Sequence, residues 1–472
     1  MGENKAIKAG IGYTVANYLI KGLSFFTLPI FTRLLSTKDF GVYNTFLAYE
    51  NILTIILGMA FSSSFNVARF KFKINRYVSC CISVSFIFSL FILGIIDVIY
   101  PLYNRILNMD RWMITLLVLF SFSSAVVTFY NSYIGLEFQY KKFVIISALG
   151  AIGNIVLSLL LILTLFSGNR GLGRIIGMSL SSISLSVYII IFFFSKEKPC
   201  FEKDYIKFAL RYCIPIIPHS LSQIILNQFD RIMISSMCGE NEAGIYSFAY
   251  TLFSILLITI TSLDKVWAPW FFDNLKANNY LGIKKRSSQY ALVMASFSAL
   301  LILIAPEIIR FLGSKEYWGS VYCVAPIIVG GYFSFLYYIP CQVEYYYEKT
   351  QYIALGSIFA AGLNIVLNIF FIKQYGYVAA AYTTLLSYFL YFVFHYVISI
   401  IIVKKRIFHT GKIVILSIGV LLVAIIETTL MDYPIIRWGL AAVMCLLLFN
   451  GGIKYLNKYH KKDNMRRLPV YL

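Results

Sequence analysis

The 472-residue sequence predicts an all-α, polytopic membrane protein of about fourteen transmembrane helices, with two parallel six-helix repeats around a central cavity and two trailing helices. Three observations predict it. Hydrophobic residues make up 59% of the chain and charged residues 13%, and the apolar residues fall in blocks of about twenty. A block of that length crosses the hydrocarbon as a helix because all its backbone N–H and C=O groups are then satisfied internally. The chain also repeats itself: Ile20 to Leu35 aligns without a gap on Pro218 to Met233, matching Leu23 with Leu221, Phe31 with Phe229 and Arg33 with Arg231. Gly41-Val42-Tyr43 and Gly244-Ile245-Tyr246 follow the two copies, and Asn154-Ile155-Val156-Leu157 returns as Asn364-Ile365-Val366-Leu367. Finally, each copy holds an even number of spans, so both enter the membrane in the same orientation and are related by an axis along its normal.

In chain order, apolar runs bounded by charged or turn-rich breaks place spans near 11–33, 40–66, 77–99, 113–135, 143–166 and 173–194. A charged link, Lys196 to Lys207, separates these from spans near 208–231, 243–263, 288–306, 319–343, 352–372 and 376–402. Two more follow, near 413–430 and 435–453, before a basic tail. The expected units are an N-terminal lobe at 1–195, a C-terminal lobe at 196–403, and the added helices and tail at 404–472. The first run is too long for a signal-peptide core and lacks a cleavage pattern, so it counts as a span.

The formal charge is +20. It does not point to nucleic acid, because the basic residues sit in short connections and form no face or arm. With a cytoplasmic N-terminus, inner segments hold 29 of the 41 Lys and Arg residues, outer segments 11, and Lys21 remains within a span. That bias places both termini in the cytoplasm. Trp112, Trp318 and Trp438 fall at expected outer helix ends and Trp267 and Trp270 at an inner one, where amphipathic rings favour the interface. The eight cysteines follow no metal-ligand spacing and read as buried thiols. No phosphate-binding loop, H-E-x-x-H or nucleophile elbow occurs, and the longest expected loop, about Asp264 to Ser288, is too short for a catalytic domain. Transport is therefore favoured over catalysis, with no metal and no cofactor.

Polar residues deep in spans are the informative ones, since a charge at the bilayer centre costs roughly 2.5 to 3.5 kcal/mol. Thr14, Asn17, Lys21 and Ser24 share one face of the first helix. Lys21 and Glu50 both fall near the midplane on antiparallel helices, either as a structural ion pair or as a pair that Glu50 protonation opens to an anionic substrate. On the seventh helix Ser220, Gln223, Asn227, Asp230 and Arg231 form a second polar face after the breaks at Pro215 and Pro218, as suits a helix lining a cavity. Asp230 and Arg231 read either as a paired interfacial cap or as cavity residues. Arg33 and Arg231 occupy equivalent positions and are expected to face one another, two guanidiniums that suit phosphate; the competing reading makes each an interface anchor. The substrate-binding set is thus Lys21, Arg33, Arg231, Asn17, Gln223 and Asn227, with Glu50 and Asp230 as coupling or structural carboxylates. Glu344 and His395 receive no role.

Three stretches give the chain a resemblance to a known family. They are Leu28-Pro29-Ile30-Phe31-Thr32-Arg33-Leu34-Leu35 with Asp39-Phe40-Gly41-Val42-Tyr43; Pro215-Ile216-Ile217-Pro218 with Asp230-Arg231 and Gly244-Ile245-Tyr246; and Ala361 to Asn368 with Tyr375-Gly376. In these it resembles the polysaccharide flippases of the multidrug, oligosaccharidyl-lipid and polysaccharide exporter superfamily. The resemblance implies an undecaprenyl-pyrophosphate-linked oligosaccharide repeat unit, carried from the inner to the outer leaflet of a bacterial cytoplasmic membrane by alternating access, for O antigen or capsule. It implies membrane lipids, a polysaccharide polymerase and chain-length proteins as partners. Coupling to a proton or to sodium is left open. The competing readings are a multidrug or organic-cation antiporter, a lipid II flippase, and, from another class, a membrane polysaccharide polymerase or ligase.

Overall fold

Helices account for nearly all the ordered backbone, and no strand occurs among the described residues. The computed structural model describes residues 22–23, 26–100, 109–136 and 139–446, apart from the Lys265 side chain. Helical residues 26–34 (α1) lead into Ser36, which caps Thr37–Gly58 (α2) through a reciprocal capping box with Asp39. Then come Ile74–Val98 (α3), Arg111–Leu136 (α4), Tyr140–Leu163 (α5) and Arg170–Lys196 (α6). Lys203–Cys213 (α7) and a short turn at Ile214–Ile216 precede Ile217–Met237 (α8). The remainder is Glu240–Lys276 (α9), Tyr280–Leu312 (α10), Val321–Tyr346 (α11), Thr350–Tyr375 (α12), Val378–Val403 (α13), Thr410–Thr429 (α14) and Pro434–Leu446 (α15).

Eleven helices among the described residues are long and apolar enough to cross a membrane. α1, α8 and α15 stand where three further spans are expected, α8 with a polar face and α15 with 13 described residues, so the expected fourteen is approximate. The repeat is visible in the packing. α2 lies on α4, α4 on α6 and α5 on α6, while in the second copy α9 lies on α11, α11 on α13 and α12 on α13. One apolar core joins α3, α4, α6 and α7, and a larger one runs through α8 to α14.

Three expectations change. The seventh span was placed at 208–231, but residues 203–213 form a separate amphipathic helix. Its Tyr205 and Phe208 rings pack on Phe72 and Tyr77, and the adjoining link is tied down by Arg76 to Glu202 at 2.5 Å. The expected loop from Asp264 to Ser288 is helix except at 277–279, since its charges lie on helix that has left the apolar zone. Trp267 consequently sits inside, packed on Trp270, Phe271 and Tyr290, whereas Trp112, Trp318 and Trp438 are exposed. The cysteines are free thiols and mostly buried, but Cys445 is exposed.

The two repeats meet most tightly where Gly41 faces Gly244. A Cβ added at Gly41 would lie 1.8 Å from the Glu240 carbonyl oxygen, and one at Gly244 1.9 Å from that of Thr37. Only glycine lets the backbones approach so closely. Around this contact Thr37 Oγ1 donates to Asn241 Oδ1 (3.2 Å), Thr32 Oγ1 to the Leu312 carbonyl (2.6 Å), and Tyr317 OH to the carbonyls of Leu35 and Ser36 (both 3.0 Å). At the far end of the chain Arg437 is fully buried; its guanidinium grips both carboxylate oxygens of Glu307 at 2.8 and 2.5 Å and donates to the Leu303 carbonyl, fastening α15 to α10.

Overpacking a tight contact costs about 1 to 3 kcal/mol. Cysteines placed at 37 and 241 in a background without native cysteines should cross-link readily, and Gly41→Leu or Gly244→Leu should slow that reaction on the order of tenfold, read by gel shift.

Candidate functional site

Behind the glycine contact, α1, α2, α5 and α6 of the first repeat and α8 and α9 of the second line an open cavity of about 440 Å³. Its walls carry Phe31, Tyr43 and Tyr250, the polar side chains of Asn44, Asn154, Ser247, Thr251 and Ser254, and two arginines, Arg174 from α6 and Arg231. Each arginine is nearly buried, at 8% exposure. Arg174 lies over the Phe31 ring (3.7 Å to its centre) and near Tyr43 (5.1 Å), and its Nη1 donates to Asn154 Oδ1 at 2.8 Å. Arg231 lies 4.7 Å over Tyr250, and its Nε has no hydrogen-bond partner among the described residues. Neither forms an ion pair there. Cation–π contact holds a guanidinium without consuming the donor edge that would face an anion.

The second repeat holds a different polar centre. Asp230 is 1% exposed, and its carboxylate accepts from Tyr246 OH (2.6 Å), Thr384 Oγ1 (2.6 Å) and Asn368 Nδ2 (2.7 Å). Asn364 Nδ2 donates to Thr384 Oγ1 at 3.0 Å, and Thr383 Oγ1 donates to Asn368 Oδ1. The carboxylate is thus satisfied by hydroxyl and amide donors from three helices. Asn227 Oδ1 accepts from Tyr388 OH (2.7 Å) and Gln223 Nε2 donates to Tyr391 OH (3.1 Å), so these two amides turn into the second repeat.

The residues named from sequence thus divide. Arg231 lines the cavity; Gln223, Asn227 and Asp230 belong to the buried network beside it. Asp230 and Arg231 make no ion pair, since the carboxylate turns to α9, α12 and α13 and the guanidinium to the cavity. Arg33 is exposed and lies outside the cavity wall, so it does not face Arg231. Glu50 is buried at 7% exposure and accepts from Thr54 Oγ1 at 3.0 Å. Asn17 and Lys21 lie outside the described residues, as do Thr14 and Ser24.

The residue that sequence reasoning missed is Arg174. It stands at the start of a span, where an arginine reads as an interface charge. The signal was the repeat itself. The spacing of 210 that matches Asn154 with Asn364 also matches Ser158 with Asn368 and Arg174 with Thr384. The Asn154–Arg174 bond is therefore the first repeat's counterpart of Asn364–Thr384.

The fold is that of a multi-pass membrane protein. Residues 7–275 match the family model described as polysaccharide biosynthesis protein, which is more than half of the chain. The chain belongs to that family. It is 22% identical over 373 residues to a protein of the Lsg locus of Haemophilus influenzae, covering 75% of this chain and 88% of the relative. Among solved structures it is similar to the lipid II flippase MurJ in an inward closed conformation, with a TM-score of 0.74 and 16% identity over 94% of this chain and 99% of that one. It is also similar to an inward-facing multidrug resistance MATE transporter of the MOP superfamily, with a TM-score of 0.61 and 15% identity over 82% and 97% of the two chains.

Removing an acceptor that serves three buried donors costs about 1 to 3 kcal/mol for each group left unpaired. Asp230→Leu should lower the unfolding temperature of detergent-purified protein by several degrees, at least twice the drop of Asp230→Asn, which keeps one acceptor oxygen; thermal-shift fluorimetry reads both.

Proposed function

We propose that the protein is a flippase that moves an undecaprenyl-pyrophosphate-linked oligosaccharide repeat unit from the inner to the outer leaflet of a bacterial cytoplasmic membrane. The observation that carries this reading is the pair Arg174 and Arg231, which face one cavity and form no ion pair among the described residues. Nη1 of each already donates to a protein oxygen, Arg174 to Asn154 Oδ1 and Arg231 to the Asn227 carbonyl, which fixes the guanidiniums on their aromatic faces, and Arg231 Nε is left over for a phosphoryl oxygen. The hydroxyl and amide groups around them suit sugar.

The proposed cycle rocks a lobe of residues 1–195 against a lobe of 196–403, with the trailing helices joined to the second through Arg437. Both termini are cytoplasmic in this reading, so the Gly41–Gly244 end is the outer gate and is closed here. A net negative headgroup moving outward then gains about 2.3 kcal/mol per charge per 100 mV, inside negative. Lys21 and Asn17 add to the binding set from the first helix, while Glu50 and the oxygens around Asp230 are the candidate coupling sites for a proton and for sodium. A polymerase and chain-length proteins take the product. An organic-cation antiporter is disfavoured by the cationic wall. A lipid II flippase shares the pyrophosphate chemistry, and the substrate arms of the assay separate it.

In proteoliposomes, wild type should translocate a lipid-linked oligosaccharide more readily than lipid II. Arg174→Ala and Arg231→Ala should each lower the rate at least about tenfold, the loss of roughly one charge-assisted hydrogen bond, at matched folding. Arg33→Ala should leave it near the wild-type rate. A wild-type protein that moves only lipid II, or full activity in both cavity variants, overturns the reading.

An inside-negative potential should accelerate export and its reversal slow it. Equal rates under both polarities would show that no net charge crosses.

A further inference from the structure

Away from the cavity, α11 and α13 bring a carboxylate and an imidazole together inside the second repeat. Glu344 and His395 are both 0% exposed, and Glu344 Oε1 lies 2.6 Å from His395 Nδ1. Each has an atom left over: Glu344 Oε2 and His395 Nε2 have no hydrogen-bond partner among the described residues. A buried polar atom without a partner is costly, and such exceptions call for a reason.

The surroundings point to the proton as the missing partner. Cys341 stands one turn before Glu344, and its Sγ lies within 4.8 Å of the ligand atoms of the other two, so a metal ion is the alternative. A metal ion could use either histidine nitrogen and either carboxylate oxygen together with Sγ, so zinc binding is tested beside the proton; a proton needs only the free lone pair of Nε2 and leaves the thiol out. Neither residue pairs with a lysine or arginine among the described residues. The titratable groups facing them are Tyr337, Cys341 and Tyr345 on α11, Tyr391 on α13, Asp264 on α9, held by Gln342 Nε2 at 3.0 Å, and His219 on α8.

His219 supplies a route. Its Nδ1 lies 3.0 Å from Ser357 Oγ, and the neighbouring residue is Gly356, where an added Cβ would come within 3.0 Å of His395 Nε2. The half-buried His219, in the first turn after the break at Pro215, thus stands one residue along α12 from the free nitrogen.

We infer that Glu344 and His395 form a proton-binding site in the second repeat, loaded through His219 and Ser357. In the empty state the neutral imidazole donates its Nδ1 proton to the carboxylate and the pair carries one negative charge. Uptake of one proton at Nε2 makes an imidazolium–carboxylate pair of zero net charge; release restores the first state. Its use in driving export rests on the transport reading, but the site itself does not.

The test is infrared difference spectroscopy of the full-length purified protein, stepped between about pH 5 and about pH 8, the range in which imidazole changes charge. Wild type should show an imidazole band and a carboxylate band that change together. Glu344→Gln and His395→Gln, which keep hydrogen-bonding side chains, should each lose the coupled change, and Cys341→Ser should retain it. Wild-type protein with nitrogen-15 histidine gives a readout free of variants: one imidazole with a hydrogen-bonded Nδ1 and a titrating Nε2. Coupled bands that persist in His395→Gln, a wild type without them, or stoichiometric zinc binding abolished by Cys341→Ser would each overturn the proposal. In vesicles, an imposed pH gradient should change the wild-type flipping rate several-fold and leave that of Glu344→Gln unmoved while it still responds to potential. A wild type that shows the bands but moves no lipid-linked sugar overturns the flippase reading and supports this site.

Discussion

The backbone contact between Gly41 and Gly244 sets the geometry from which the rest of the described structure follows. Two helices with any side chain at those positions would stand farther apart, and the hydrogen bonds from Thr37, Thr32 and Tyr317 across the same end could not form together. In a bilayer there is no hydrophobic force to press apolar helices on one another, so close approach of small residues and interhelical hydrogen bonds decide which faces meet. Here they join one end of the repeats, and the cavity lies behind it.

The two copies have kept their scaffold and exchanged its charges. Thr32 and Asp230 are equivalent positions, and so are Arg174 and Thr384. The first repeat therefore puts a cation beside its asparagine and presents it to the cavity, whereas the second puts an anion beside its own and encloses it among hydroxyl and amide donors. Duplication supplied two identical frames; divergence made one a cationic cavity wall and the other a sealed polar centre.

Much of this was legible because the bilayer leaves few options. Twenty apolar residues that must satisfy their own backbone become a helix, and the duplicated Arg33 and Arg231 motif fixed which helices correspond. What escaped detection lies where the bilayer's rules stop. Residues 264–276 leave the apolar zone but keep their helical hydrogen bonds, so charge there was read as loop. Residues 203–213 have one apolar face, which periodic sequence blurs into the next span. Arg33 and Arg231 share a register yet not an environment, because a pseudo-symmetric position fixes only the direction of the backbone, and Pro29 and Thr32 beside one are replaced by Asn227 and Asp230 beside the other. For Glu344 and His395, 51 residues apart, nothing in the sequence marks the carboxylate and the imidazole as neighbours.

The length of α9 has a mechanical meaning. Its 37 residues make a rod of about 55 Å, nearly twice the roughly 30 Å of hydrocarbon it has to cross. One end carries Gly244; the other, with Trp267, Phe271 and Lys276, stands beyond the apolar zone against α10. In the proposed cycle such a rod is a lever with its fulcrum at the glycine contact. A tilt of about 10 degrees there would swing the opposite tip by about 8 Å, so a small loosening at one membrane face is converted into a large displacement at the other.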